Sequence, residues 1–425
     1  MARISRRIAL AQAAAGAALV SLPRLALAKP GPGGFDKQKL ARITPVVQAV
    51  LDKGPLAGIV DMVCRHGEIA HVDALGWQDV ENKVPMKRDS LFRIASMTKP
   101  ITGAAALILM DEGKLSLTDP VEKFLPELAN RKIVRDLVGP IDNVYESPRS
   151  ITITDLMTHR SGIATPDNTK GPLVDAFTAA DTKGRAEGLD AWLKAIGALP
   201  LAYKPGTEFR YGNSTDFLGA VVARASGMKL GDFLQQRIFG PLGMVDTGFW
   251  VPEKKRSRLC VAYAMDQDGK RVPGTARPAD KAPVFESGAG GLVSTADDYL
   301  KFARMLLGKG KLGDTRILSH SAVGLMTSDH LTREQRMQPF QGIRDYWAGQ
   351  GFGLTVAVID DVARWTPSNG YSSAGSFYWP GATACQWQAD PKEDMITIHM
   401  VQLTNGFAAT PFRAIRELAY AAIDD

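Results

Sequence analysis

Residues 91–115 read LFRIASMTKPITGAAALILMDEGKL, an apolar run long enough for a buried helix and interrupted only near its start, where Ser96 and Lys99 stand three residues apart. The first turn of a helix carries unpaired N–H groups and the positive end of the dipole, so a cation is mildly unfavourable there. Local structure therefore does not explain Lys99. Chemistry can: a serine hydroxyl is a weak nucleophile that needs a base within hydrogen-bond reach, and residues three apart on a helix share a face. A lysine amine serves as that base in its neutral form, which burial and nearby positive potential both favour.

The SxxK spacing alone does not decide the matter, because it occurs again at Ser226 and Lys229. In ARASGMKLGDFL, Gly227 reads as the C-cap of one helix and Lys229 as the start of the next, so that pair straddles a turn. Ser96 instead enters a long apolar helix with Pro100 in its first turn, where proline is tolerated. No GxSxG elbow occurs in the chain, which speaks against an α/β-hydrolase triad.

With 425 residues, 45% of them hydrophobic, the chain can bury a large core and exceeds the usual size of one compact lobe. Residues 1–28 read as an export signal of twin-arginine type, with Arg6 and Arg7, an Ala/Leu-rich core and a small-residue exit at Ala26, Leu27 and Ala28. That exit favours removal over retention as an anchor helix, and the apolar run is short for a membrane span. The expected location is periplasmic or secreted. Removing Arg3, Arg6, Arg7 and Arg24 from the formal net charge of +6 leaves +2. With no basic-aromatic cluster, nucleic acid is not an expected partner.

Cys64, Cys260 and Cys385 are widely spaced, with no CxxC, and read as small buried thiols. The six histidines include no HExxH or HxH pair and no Cys/His cluster, so no metal or cofactor is expected.

Along the chain, GPGG (31–34) is a linker, DKQKLARITPVVQAVLDKG reads as one amphipathic helix ending at Gly54, and GIVDMVCRHGEIAHVDALGW as a hairpin about His66 and Gly67. The middle holds capped helices such as STDFLGAVVARASG and KLGDFLQQRIFG, separated by Pro/Gly-rich connections. From about 285 a helix, TADDYLKFARMLLGKG, precedes strand-like runs GFGLTVAVID, CQWQAD and DMITIHMVQL, and a helix from about Phe412 closes the chain. The pattern predicts an α/β (α+β) fold, an antiparallel sheet flanked by helices. Residues 35–110 and 285–425 would build the sheet lobe, 111–284 an inserted, mainly helical lobe, and the active site would lie between them.

Taken in order, these segments resemble the serine β-lactamase and penicillin-binding protein superfamily, most closely the branch of class C β-lactamases and related esterases. LFRIASMTKPITGAAALILMDEGKLSLTDPVEKFLPE resembles the nucleophile helix and its continuation, ITITDLMTHRSGI the next hallmark segment, and PGTEFRYGNSTDFLGAVVARASGMKLGDFLQQRIFGPLGMVDTGFW the second catalytic segment. SGAGGLVSTADDYLKFARMLL and FYWPGATACQWQADPKEDMITIHMVQL follow in the same order. The resemblance implies that Ser96 is the acylated nucleophile, Lys99 its base, and Tyr211 of the single YxN motif the proton shuttle. Asn213 would contact substrate and orient Lys99. On local grounds alone, Tyr211 could equally be a strand-end aromatic and Asn213 a helix N-cap.

The third motif departs from the lactamases. Where they carry KTG or HxG, this chain has Trp379, Pro380, Gly381 and Ala382, close to the WGG of esterase-like members. The N–H of Ala382 would join that of Ser96 as an oxyanion hole, with Gly381 allowing close approach. Trp379 would stand as an apolar wall where a cation would otherwise pair with a substrate carboxylate, unless it is simply core. Neutral or aromatic small-molecule esters then fit better than β-lactams. His159 reads as a structural corner rather than a triad base, and Asp297 and Asp298 as first-turn helix residues. The expected activity is an acyl-enzyme esterase; the alternatives are a β-lactamase or D-amino-acid peptidase, or a non-catalytic sensor on the same fold.

Overall fold

The structure, a computed structural model, describes residues 31–166 and 170–425. The expected export signal, residues 1–28, lies outside them. Among the described residues no helix is long and apolar enough to cross a membrane.

The hairpin about His66 and Gly67 nucleates the sheet. Both turn residues take positive φ, 52° and 76°, the two-residue geometry whose twist matches its flanking strands. It joins β1 (Gly58–Arg65) to β2 (Glu68–Asp79), and β3 (Val84–Pro85) extends the edge. Five strands from the other end of the chain complete the sheet: β4 (Gln350–Phe352), β5 (Ala357–Ile359), β6 (Phe377–Tyr378), β7 (Gln386–Asp390) and β8 (Met395–Met400). Their order is β4-β5-β6-β7-β8-β1-β2-β3, antiparallel at every step. The two chain ends meet at the centre, where Val60 lies opposite Met400.

Strand β1 is buried on both faces, so its side chains divide between two cores. Val60, Met62 and Cys64 join the cluster around helix α3 (Thr98–Asp111) and helix α6 (Ala296–Leu307), whereas Ile59 and Val63 pack with the terminal helices. Those are α1 (Lys37–Leu40), α2 (Ile43–Lys53) and α7 (Phe412–Ala421). The single helix expected over 36–53 is thus two, because Pro45 in a continuous helix would clash with the carbonyl of Ala41. Helices α4 (Pro172–Glu187) and α5 (Ser214–Ser226) belong to the middle of the chain.

That middle is not wholly helical. Lys132–Val134 pairs with Val144–Glu146, and Tyr263–Met265 lies between Arg271–Pro273 and Leu403–Thr404, parallel to the latter. Residues near 263–273, expected within the helical insertion, therefore attach to the sheet lobe. The reason is non-local, since the partner strand lies some 140 residues away.

Candidate active site

Short strand Phe92–Arg93, paired with Val293–Ser294, delivers the chain into a 3₁₀ turn, Ala95–Met97, which runs directly into α3. Ala95 holds φ at 45°, a left-handed conformation that costs a non-glycine residue roughly 1–2 kcal/mol. Strain of this kind persists only where the surroundings enforce it. Here it sets Ser96, half-buried, at the mouth of the helix. Lys99 is 3% exposed, with Nζ 3.0 Å from Ser96 Oγ, 2.8 Å from the carbonyl oxygen of Ala289, and 4.6 Å from the ring centre of Tyr211.

The SGAGG segment, 287–291, is laced to α3 by its hydroxyls. Leu292 N–H donates to Thr98 Oγ1 at 3.1 Å, and Thr102 Oγ1 donates to Gly288 O at 2.7 Å. A Cβ on Gly288 would fall 2.8 Å from Thr215 O, so only glycine lets this segment lie between α3 and α5. Buried Asp216 on α5 accepts from Ala289 N at 2.9 Å and from Ser287 Oγ at 2.7 Å, and pairs with Arg185 on α4 at 2.5 Å. Asp216 thereby fixes the residue whose carbonyl receives Lys99.

Tyr211 approaches from the opposite side. Its hydroxyl accepts from Trp379 Nε1 at 3.0 Å, and its ring packs against His159, Trp379 and Phe340 at 4.7, 5.3 and 5.6 Å between centroids. Trp379 is 2% exposed and sits in an aromatic cluster with Phe209, Phe340, Trp347 and Phe352. Instead of an open wall it is a buried support whose polar edge holds the Tyr211 hydroxyl. His159 is fully buried and neither ring nitrogen has a partner. Burial, and secondarily the charge of Lys99, push its pKa well below the usual histidine value, so it stands as a neutral ring packed on Tyr211.

Asn213 occupies the N-cap position of α5 without a side-chain capping bond; its carboxamide nitrogen donates to Asp181 at 3.3 Å. Asp181 also receives Trp192 Nε1 and pairs with Arg185. In this arrangement the orientation of Lys99 comes from the Ala289 carbonyl.

The third-motif segment leaves β6 and turns tightly, with Gly381 N–H donating to Cys385 O and Ala384 N–H to Gly381 O, both at 2.8 Å. Pro380 lies past the end of β6, so its missing N–H removes no ladder bond. A Cβ on Gly381 would sit 2.3 Å from the Ile94 carbonyl, immediately before the Ser96 turn. This contact brings exposed Ala382 beside the turn, and its N–H has no acceptor among the described residues. The first N–H groups of a helical turn likewise lack internal acceptors, which is the situation of Ser96.

The second SxxK pair is structural. Ser226 Oγ donates back to Val222 O at 2.7 Å, Gly227 takes φ 71°, and Lys229 precedes the next helix, Leu230–Leu234. Asp297 pairs with Arg88, while Asp298 accepts from Asp246 N and Thr247 Oγ1, so the two form no carboxylate dyad. All three cysteines are free and buried. Sequence reading missed Asp216, Asp181 and Phe340; the single usable signal was the aspartate immediately after YGNST, on the face of α5 turned to SGAGG.

A central antiparallel sheet with helices on both faces and a serine–lysine pair opening a buried helix defines the β-lactamase and penicillin-binding-protein class of fold. The Beta-lactamase family model matches residues 43–422, and the chain belongs to that family. It is 42% identical over 357 residues to an uncharacterized protein of Mycobacterium tuberculosis, covering 84% of this chain and 88% of that one. It is 32% identical over 410 residues to the esterase EstB of Burkholderia gladioli, covering 90% and 95%. Among solved structures, EstCE1, a hydrolase with promiscuous acyltransferase activity, superposes with a TM-score of 0.76 at 26% identity, covering 92% of this chain and 99% of that one.

Proposed function

We propose that the protein is an exported serine hydrolase that cleaves small carboxylic esters through an acyl-enzyme. The observation that carries this reading is the convergence of Ser96 Oγ, Lys99 Nζ and Tyr211 within one partly buried site. In the proposed cycle Lys99 accepts the Ser96 proton as Oγ attacks the ester carbonyl, and the oxyanion rests on the N–H groups of Ser96 and Ala382. Collapse breaks the ester C–O bond, and the leaving alkoxide takes a proton passed through Tyr211 from Lys99. Water then attacks the acyl-serine, giving its proton back along the same path and releasing the acid. Esters are favoured over β-lactams because the third motif carries Trp379, which offers no cation for a substrate carboxylate. The esterase relatives point the same way.

The test is a panel of p-nitrophenyl esters beside a chromogenic cephalosporin, with intact-mass measurement after a fluorophosphonate. Ester turnover with one adduct per chain, both abolished in Ser96→Ala, is the expected result. Cephalosporin turnover rivalling the esters would favour the lactamase reading; no adduct, or one that survives Ser96→Ala, would overturn both catalytic readings built on Ser96. Export is checked separately, by N-terminal sequencing of the secreted chain, expected to begin near Lys29.

A further inference from the structure

On the sheet face turned away from Ser96, the hairpin register places Asp61 of β1 opposite Asp73 of β2, with His71 two residues earlier on the same strand and face. His71 Nε2 lies 3.1 Å from Asp61 Oδ2 and 3.3 Å from Asp73 Oδ2, and one donor atom from each of the three residues falls within 4.8 Å of the others. The sequence has no HxH, HExxH or Cys/His cluster and so announces no metal ligands, yet the hairpin brings these donors together from two strands.

The cluster is under-satisfied. Asp61 is fully buried, yet its Oδ1 has no hydrogen-bond partner. His399 on β8 is the direct cross-strand neighbour of Asp61 on its other side. It is 1% exposed, stacked on Phe412, and has no partner at either ring nitrogen. A buried carboxylate oxygen and a neighbouring buried imidazole without partners each cost free energy, so the cluster has spare lone pairs for a cation.

We infer that Asp61, His71 and Asp73 form a binding site for a divalent transition-metal ion of the zinc class. Zinc held at roughly 2.0–2.1 Å by nitrogen and oxygen donors in a tetrahedron sets those donors about 3.3 Å apart, the spacing His71 Nε2 already has to both carboxylates. One imidazole and two carboxylates suit zinc or manganese better than a thiol-seeking or an all-oxygen ion. His71 also lines a surface pocket of about 190 Å³ with Phe35, Lys37 and Leu40, which provides a route from solvent. The ion would tie β1 to β2 beneath the terminal helices and take no part in chemistry at Ser96.

The full chain, stripped with EDTA and dialysed against micromolar zinc, should retain close to one zinc per chain by elemental mass spectrometry. Cobalt loading should give visible d–d absorption, and zinc should raise the thermal midpoint. His71→Gln and Asp73→Asn should each cut retained metal at least tenfold and remove the thermal response, while Ser96→Ala should bind as the parent does. Circular dichroism identifies a misfolded variant, in which case the other decides. Retention below a tenth of an ion per chain, or retention unchanged in both folded variants, would overturn the inference without bearing on the esterase reading.

Discussion

The indole N–H of Trp379 reaches the Tyr211 hydroxyl at 3.0 Å, so Trp379→Phe keeps the packing and removes one hydrogen bond, about 1 kcal/mol. It should lower kcat for a p-nitrophenyl ester roughly fivefold with KM nearly constant, since a positioning bond is lost and no substrate contact. In the proposed cycle Lys99 and Tyr211 carry the proton, so steady-state assays of Lys99→Ala and Tyr211→Phe should show losses of roughly 10²–10⁴ in kcat. His159 has another signature. Its folded-state pKa lies below the unfolded value, so below about pH 6.5 the unfolded chain binds the extra proton and stability falls, by up to ~1.4 kcal/mol per pH unit. Urea midpoints measured from pH 7 to 5 should fall less steeply in His159→Asn, a residue that tolerates the left-handed backbone of this position.

At the scale of elements, the site depends on how closely two turns approach. Gly381 presses its Cα face on the carbonyl of Ile94, and a methyl group there would push the 380–385 turn away from Ser96. Gly381→Ala should therefore cost roughly tenfold or more in kcat while thermal melting shifts by only a few degrees. A parent-like kcat in that variant would remove Ala382 from the oxyanion hole. Helix α5 contributes through Asp216, and Asp216→Asn, which weakens the pairing with Arg185 and the hold on Ala289, should reduce both stability and kcat. Ser226→Ala on the same helix is the control: its hydroxyl serves only backbone groups, donating to the Val222 carbonyl and accepting from the Met228 N–H, and ester turnover should not change.

For the molecule as a whole, the sheet is completed only when β8 docks on β1, and α7 then covers the joint with Phe412, Ile415 and Ala419. Burial of a phenylalanine and an isoleucine is worth about 1.5–3 kcal/mol each, a large share of a total stability of roughly 5–15 kcal/mol. Deleting 411–425 should leave a chain that is aggregated or unfolded by circular dichroism, although every catalytic candidate is still present. The whole chain is thus needed to assemble the site, because Ser96 and Trp379 reach it from opposite ends of the sequence.

Hairpin, the helix opening at Ser96 and Lys99, α6 and the closing helix were all legible in the sequence, as was the order of motifs that marks the family. These features rest on local physics: turn residues with positive φ, capping hydroxyls and apolar periodicity act within a few residues. The pairing of Val60 with Met400, the seating of 263–265 beside Leu403, the turning of Trp379 into the core and the meeting of Asp61 with His71 and Asp73 were not. Each is a contact between side chains or strands whose partner is chosen by which faces the folded sheet buries together. The sequence by itself determined the candidate serine, lysine and tyrosine; tertiary structure decided what surrounds them, because burial and register exist only after distant strands have paired.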